Sequence, residues 1–190
     1  MVQKRNLDLD KIIDQATKLI SEKGLSATTL PALAKALNVR SQSLYHYVSG
    51  RKQLLSLVGA REIKILRHQL MDDLIGLSGR DALLKFADTV RDFLLSDQAL
   101  SSILYHLNEY PKDAAISQEI LDLIKLGERL NFRKESAISF HALIGAVLGY
   151  VFLDNSSSFV DETKDESNRN YHEMILRLVE PVPELQIGRK

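Results

Sequence analysis

The sequence contains no cysteine. That excludes disulfides, thiolate zinc sites and a cysteine nucleophile. Tryptophan is absent as well, and aromatic residues make up only 6% of the chain. Nine glycines and four prolines in 190 residues leave few breaks in regular structure. Strand-like alternation is equally scarce, so the chain reads as all helical. There is no GxSxG, no phosphate loop, no dinucleotide fingerprint and no HExxH. His46, His68, His106, His141 and His172 are scattered, without the spacing of metal ligands. Neither a metal nor a cofactor is therefore expected, and the chain is not read as an enzyme. The opening MVQKRNLDLD carries charge but no apolar signal core, so the expected location is the cytoplasm.

What is present is the composition of a globular protein: 45% hydrophobic and 26% charged residues. The length suits one good core, or a small domain sharing its core with a larger one. The formal net charge is zero, but its distribution is uneven. Residues 1–52 hold nine Lys and Arg against four Asp and Glu, leaving the rest of the chain acidic. A basic N-terminal region on an acidic body is an electrostatic footprint for phosphate. Lys4 and Arg5 read equally as an arm along a phosphate backbone or minor groove and as a solvated tail.

Thr29–Lys52, TLPALAKALNVRSQSLYHYVSGRK, is the stretch on which the functional reading turns. Thr29 is a good N-cap, and Pro31 is tolerated just inside a helix start. Leu30, Leu33, Ala34 and Leu37 recur at helical spacing. Asn38 follows, where the chain must turn and a left-handed conformation suits it. Ser41 is placed to cap a second, short helix with Leu44 and Val48 on its buried side. Arg40, Ser41, Gln42, Ser43, Tyr45 and His46 fall on its exposed side, a row of donors and acceptors able to enter a major groove. Ser49 is expected to cap the next helix. Arg51 and Lys52 sit in its first turn, where a helix N-terminus and a cation make a phosphate site. A polar surface turn between two core helices is the plain alternative.

The segment SLYHYVSGRKQLL (Ser43–Leu55) resembles the recognition-helix signature of TetR-family transcriptional regulators. Thr28–Thr29, Leu33–Ala34 and Asn38–Val39 match the same family's spacing. Asn38 replaces the family's usual Gly, and Tyr47–Val48 stands where many members have His-Phe. The resemblance implies an all-α fold of about nine helices. A three-helix DNA-binding head (1–52) would be joined by a long helix 4 to a helical ligand-binding and dimerisation body (53–190). It implies backbone contacts from Arg51 and from the Tyr45 hydroxyl. The DNA-binding set is then Thr29, Arg40, Ser41, Gln42, Ser43, Tyr45, His46, Tyr47, Arg51 and Lys52.

Helix 1 is expected from Asp8 or Asp10 to Lys23, with Gly24 as its stop. Helix 4 is expected to run to Leu74. Five more helices follow, at about 80–95, 97–109, 113–130, 134–154 and 166–180, with Pro181 and Pro183 ending the last. Ser136–Leu153 carries no charge across eighteen residues, which is the lower edge for a membrane span. Ser136, Ser139, His141 and two glycines argue against a span, and burial on two sides explains it better. HALIGAVLGYVFLDNSSSF resembles, more weakly, the C-terminal domains of one broad TetR subgroup. In the family the last two long helices form a four-helix bundle with those of a second copy. Gly145, Leu148, Gly149, Phe152, Tyr171, Met174, Ile175 and Leu178 are the expected interface. Phe86, Phe93, Tyr105, His106, Tyr110 and His141 are candidates to line a pocket for a mostly apolar effector, against the reading that each is a core or surface residue. The expected partners are double-stranded operator DNA, a second copy of the chain and a small-molecule effector, with no membrane. A homodimeric repressor released by its ligand follows from this. A ligand-independent DNA-bound interaction protein and an activator remain as alternatives.

Overall fold

The computed structural model describes residues 7–129, 139–156 and 161–180. Among them the chain forms nine α-helices and no strand: α1 Leu9–Lys23, α2 Leu30–Leu37, α3 Ser41–Leu44, α4 Arg51–Asp73, α5 Gly79–Ser96, α6 Gln98–Leu104, α7 Ala115–Arg129, α8 Phe140–Asn155 and α9 Lys164–Val179. A single 3-10 turn, Leu107–Glu109, follows α6. The expected arm at Lys4 and Arg5, the stops at Pro181 and Pro183, and Ser136 lie outside the described residues. Of the described helices, none is long and apolar enough to cross a membrane.

The helices group into two compact units. One is Met1–Arg67 with Ser96–Leu123, the other His68–Leu95 with Ile124–Lys190. Compactness thus gathers α6 and the start of α7 with the N-terminal helices, a grouping different from the division at residue 52 expected from the sequence. Gly59 shows why. A Cβ there would stand 2.5 Å from Cδ1 of Ile116 and 3.1 Å from Cγ2 of Ile103, so α4 packs closely on side chains of α6 and α7, which would have to shift to admit a larger residue.

In the first unit, α1 starts at Asp8, whose carboxylate accepts the Lys11 N–H at 2.8 Å. It stops at Gly24, where φ is +80°. Ile12, Ile13, Ala16, Leu19 and Ile20 form its buried stripe. The Thr29 hydroxyl caps α2 by accepting the Ala32 N–H at 3.3 Å. Asn38 ends α2 in the left-handed region, φ 55° and ψ 47°, as the missing glycine requires. The next turn departs from expectation. α3 is a single helical turn whose cap position is Arg40, with no side-chain cap bond; Ser41 is already its first residue. The helix-4 start also differs. Gly50 accepts the Leu54 N–H at 3.1 Å, while the Ser49 N–H donates to Oε1 of Gln53 at 2.5 Å. Gln53, not Ser49, supplies the side-chain cap. The single helix expected over 97–109 divides, because α6 stops at Leu104 and the chain tightens into the 3-10 turn.

The second unit packs the C-terminal end of α4, α5, α8 and α9. Phe86 of α5 is fully buried and meets the Phe140 ring edge-on at 5.4 Å. Leu143, Val147 and Val151 turn α8 inward. α9 begins two residues earlier than its apolar pattern shows. Thr163 and Glu166 form a reciprocal capping box ahead of it.

Candidate nucleic-acid interface

Residues 23–61 contain no Asp or Glu but hold Lys23, Lys35, Arg40, Arg51, Lys52 and Arg61. The helix-turn-helix lies wholly within this acid-free stretch. Its short second helix is anchored by Leu44, 0% exposed, and the turn after it by Val48, 2% exposed, which lies beyond the helix rather than on its buried side as expected. The opposite side presents Arg40, Gln42, Tyr45 and His46 to solvent, with Ser41 and Ser43 half-buried between them. Tyr45 is the most open of the aromatic residues here, at 58%. Buried leucine below and exposed donors above is the arrangement that lets a short helix be pressed into a groove without losing its seat.

Four other residues of the expected DNA-binding set are engaged within the unit. Thr29 is exposed, but its hydroxyl serves α2. The Tyr47 hydroxyl donates to the Leu7 carbonyl at 2.6 Å, tying the end of the motif to the start of α1. Arg51 turns inward: its Nε donates to the Thr28 carbonyl at 2.8 Å and its Nη2 to the Leu25 carbonyl at 2.6 Å. Lys52 Nζ reaches the Glu109 carbonyl at 3.5 Å. The Thr29 cap is local and expected from spacing, whereas the contacts of Tyr47, Arg51 and Lys52 each join residues more than twenty positions apart, of which sequence spacing gives no hint.

The six residues expected around an effector have different settings. In the second unit Phe86 is core, Phe93 is half-buried and His141 is exposed. In the first unit Tyr105 and His106 are exposed, the latter with Nδ1 3.0 Å from the Ser102 carbonyl. Tyr110 is half-buried, and burial pushes its phenol above the usual tyrosine range, against the pull of Arg51. It lines a cavity of about 430 Å³ with Lys52, Gln53, Ser56, Leu57 and Pro111.

Of the expected interface, Tyr171 and Ile175 are fully buried within their own unit and are core residues. Their helical spacing is the same for either role, and only packing separates the two. Gly145, Gly149 and Phe152 are exposed on α8, with Leu148, Met174 and Leu178 half-exposed. Among the described residues, a Cβ at Gly145 or Gly149 would meet nothing within 4 Å.

Residues 12–58 match the family model of bacterial regulatory proteins, tetR family. The chain is 29% identical over 86 residues to the HTH-type transcriptional regulator YobS of Bacillus subtilis (strain 168), a match covering 45% of each protein. It is 47% identical over 45 residues to IcaR, the negative transcriptional regulator of the biofilm operon icaADBC in Staphylococcus aureus (strain Newman), covering 24% of each. The matched segments thus span less than half of these curated relatives. A variant TetR from Acinetobacter baumannii AYE, solved in complex with minocycline, shares the fold with a TM-score of 0.64 at 20% identity, over 92% of this chain and 95% of that one. Residues 12–58 thus carry a helix-turn-helix similar to that of the tetR family of bacterial regulatory proteins, and the chain shares the all-helical fold of the solved TetR structure.

Proposed function

We propose that this chain is a homodimeric repressor that binds an inverted-repeat operator and leaves it when a small, mostly apolar effector binds the body. The observation that carries the DNA-binding half is the acid-free stretch 23–61, from which Arg40, Gln42, Tyr45 and His46 project. Gln42 is assigned to an adenine edge, with Arg40, Ser41, Ser43 and His46 as further base-facing groups. Tyr45 is assigned to phosphate. Two copies related by a two-fold axis would set their α3 helices on successive major grooves.

The open face of α8 supports the dimer. An apolar helix with Gly145, Gly149 and Phe152 uncovered needs another apolar surface. IcaR is a negative regulator, which supports repression. The TetR relative was solved with minocycline, which supports an effector. The cavity holding Tyr110, with Leu57, Pro111, Ala114 and Ala115 as apolar lining, has the volume such a molecule requires. An effector acts only through its differential affinity for the bound and released states.

The test is fluorescence anisotropy against the DNA immediately upstream of the chain's own gene, at two salt concentrations, with random duplex as control. Specific, salt-sensitive binding is the expected result. Binding no tighter than to random DNA, there and across a random-duplex selection, overturns the reading.

A further inference from the structure

The guanidinium of Arg51 spends its fork on the loop between α1 and α2. Its two acceptors, the Thr28 and Leu25 carbonyls, lie at 2.8 and 2.6 Å. That loop is itself closed. The Thr28 N–H donates to the same Leu25 carbonyl at 3.1 Å, and the Thr28 hydroxyl donates to the Gly24 carbonyl at 3.1 Å. Thr28 is fully buried, and the next residue, Thr29, caps α2. The first residue of α4 therefore fixes the turn from which the helix-turn-helix begins.

Ten residues further along α4, Arg61 makes a second attachment. Its Nη1 pairs with the Asp14 carboxylate, and its Nη2 donates to the Thr17 hydroxyl at 3.0 Å. Both partners are on α1. The two arginines stand about 15 Å apart along the helix axis. Thr17 and Thr28 are eleven residues apart on the other side, so α1 and its loop are held at two points by one antiparallel helix.

Resting on the DNA-binding reading above, we propose that Arg51 is a positioning residue rather than a phosphate contact: it locks the α1–α2 loop to α4 and so fixes the angle at which α3 is presented. A lysine at this place cannot do the same work. One ammonium is a point charge on a flexible stem, whereas the planar guanidinium addresses two carbonyls with two fixed donors. Arg61 keeps α1 attached when Arg51 is changed, so the loop loosens without loss of the unit.

The experiment compares the wild-type chain with Arg51→Ala, Arg51→Lys and Arg51→Gln, using a duplex selected from a random library. Operator affinity is measured on folded protein, well below each variant's own Tm, across a salt series. Amide hydrogen exchange at residues 24–29 is followed on the free protein. The expected result is a loss of about tenfold or more in affinity for all three variants, as removal of a charge-assisted hydrogen bond implies. The salt slope stays at its wild-type value, and amides 24–29 exchange faster in every variant. A merely structural role would lower Tm and leave the affinity of the folded protein unchanged, which overturns the proposal. A slope reduced by about one per subunit in Arg51→Ala, with both slope and affinity restored in Arg51→Lys, makes Arg51 a phosphate contact and also overturns it. Unchanged protection at 24–29 overturns the lock directly. A wild-type chain that selects no duplex sinks the DNA-binding reading instead, while the exchange data still decide the lock.

Discussion

The guanidinium carbon of Arg91 lies 4.5 Å from the centre of the Tyr171 ring, and both side chains are buried. Arg91 Nη2 also donates to Asp154 at 3.2 Å and to Asn168 at 2.9 Å. The second Asp154 oxygen accepts the Ser167 hydroxyl at 2.8 Å, and the Tyr150 hydroxyl donates to the Ser167 carbonyl at 2.9 Å. One buried cation thus ties α5 to α8 and α9. Burial, then the nearby Asp88 carboxylate, pushes the Tyr171 phenol far above the usual range, so it stays protonated.

Breaking such a pair from one side costs more than the pair is worth, because the remaining charge is left buried. Arg91→Met is therefore expected to destabilise the chain by about 3–5 kcal/mol, read as a lower midpoint in urea. Arg91→Met combined with Asp154→Asn should recover a large part of that loss. A double variant no more stable than the single one would mean that Asp154 is not the charge left stranded.

This network marks where sequence reading stops. Apolar spacing is periodic and local, so the inward faces of α1, α2 and α5 are visible in Ile12, Leu33 and Phe86, whereas α8 is apolar all round and its inward residue Val147 is not singled out by the pattern. Thr29 and Asn38 are visible because caps and left-handed turns draw on few residue types. Arg91 follows Val90 in a run that reads as a helix with one charge at the edge of its apolar face. Nothing in the run shows that Asp154 and Asn168, more than sixty positions on, will receive it. Arg51 is similar: its residue type fits a phosphate and a loop carbonyl alike, and only the fold brings Leu25 and Thr28 to it. The capping box at Thr163 and Glu166 was legible in principle, since the T-x-x-E spacing is local, but the polar run around it hides the helix start.

Glu62 gives the first unit a pH dependence. It is 7% exposed, accepts a hydrogen bond from the Thr17 hydroxyl at 3.4 Å and lies beside Arg61 and Asp97. Burial first, and then the Asp97 carboxylate, raises its pKa above the ordinary glutamate value, against the opposing pull of Arg61. The folded chain therefore holds this proton more tightly than the unfolded chain. Its contribution to stability is fully present below the unfolded glutamate pKa and is lost as pH rises through the folded value. Glu62→Gln keeps an acceptor for Thr17 and removes the charge. It should raise Tm relative to wild type at neutral pH, with the gap closing as pH falls toward 4, and thermal melts across that range check it. A Tm gain that does not depend on pH would assign the effect to packing.

Gln42 is exposed on the outer side of α3 with Leu44 seated beneath it. Gln42→Ala should leave folding untouched. It should cost on the order of 1–3 kcal/mol at one base pair in each half-site and relax the preference there. Binding to a panel of singly substituted operator duplexes reads this directly. A preference profile identical to wild type would remove Gln42 from the base-reading set and leave Arg40 and His46 to carry it.

The α8 face separates dimer formation from folding. Gly149 points a vacant Cβ position into open space, and Gly145 does the same one turn earlier. The Cβ of a leucine at 149 therefore meets no described residue within 4 Å. Replacing a helical glycine should, if anything, stabilise α8 by about 1 kcal/mol. If two copies pack through this face, the same leucine holds their backbones apart. Gly149→Leu is expected to keep the wild-type circular dichroism spectrum while shifting the sedimentation profile from dimer toward monomer. Operator affinity should fall in parallel, since one head alone spans half of an inverted repeat. A variant that sediments as a normal dimer would place the interface away from Gly149, and Phe152 would then need another explanation for its exposure.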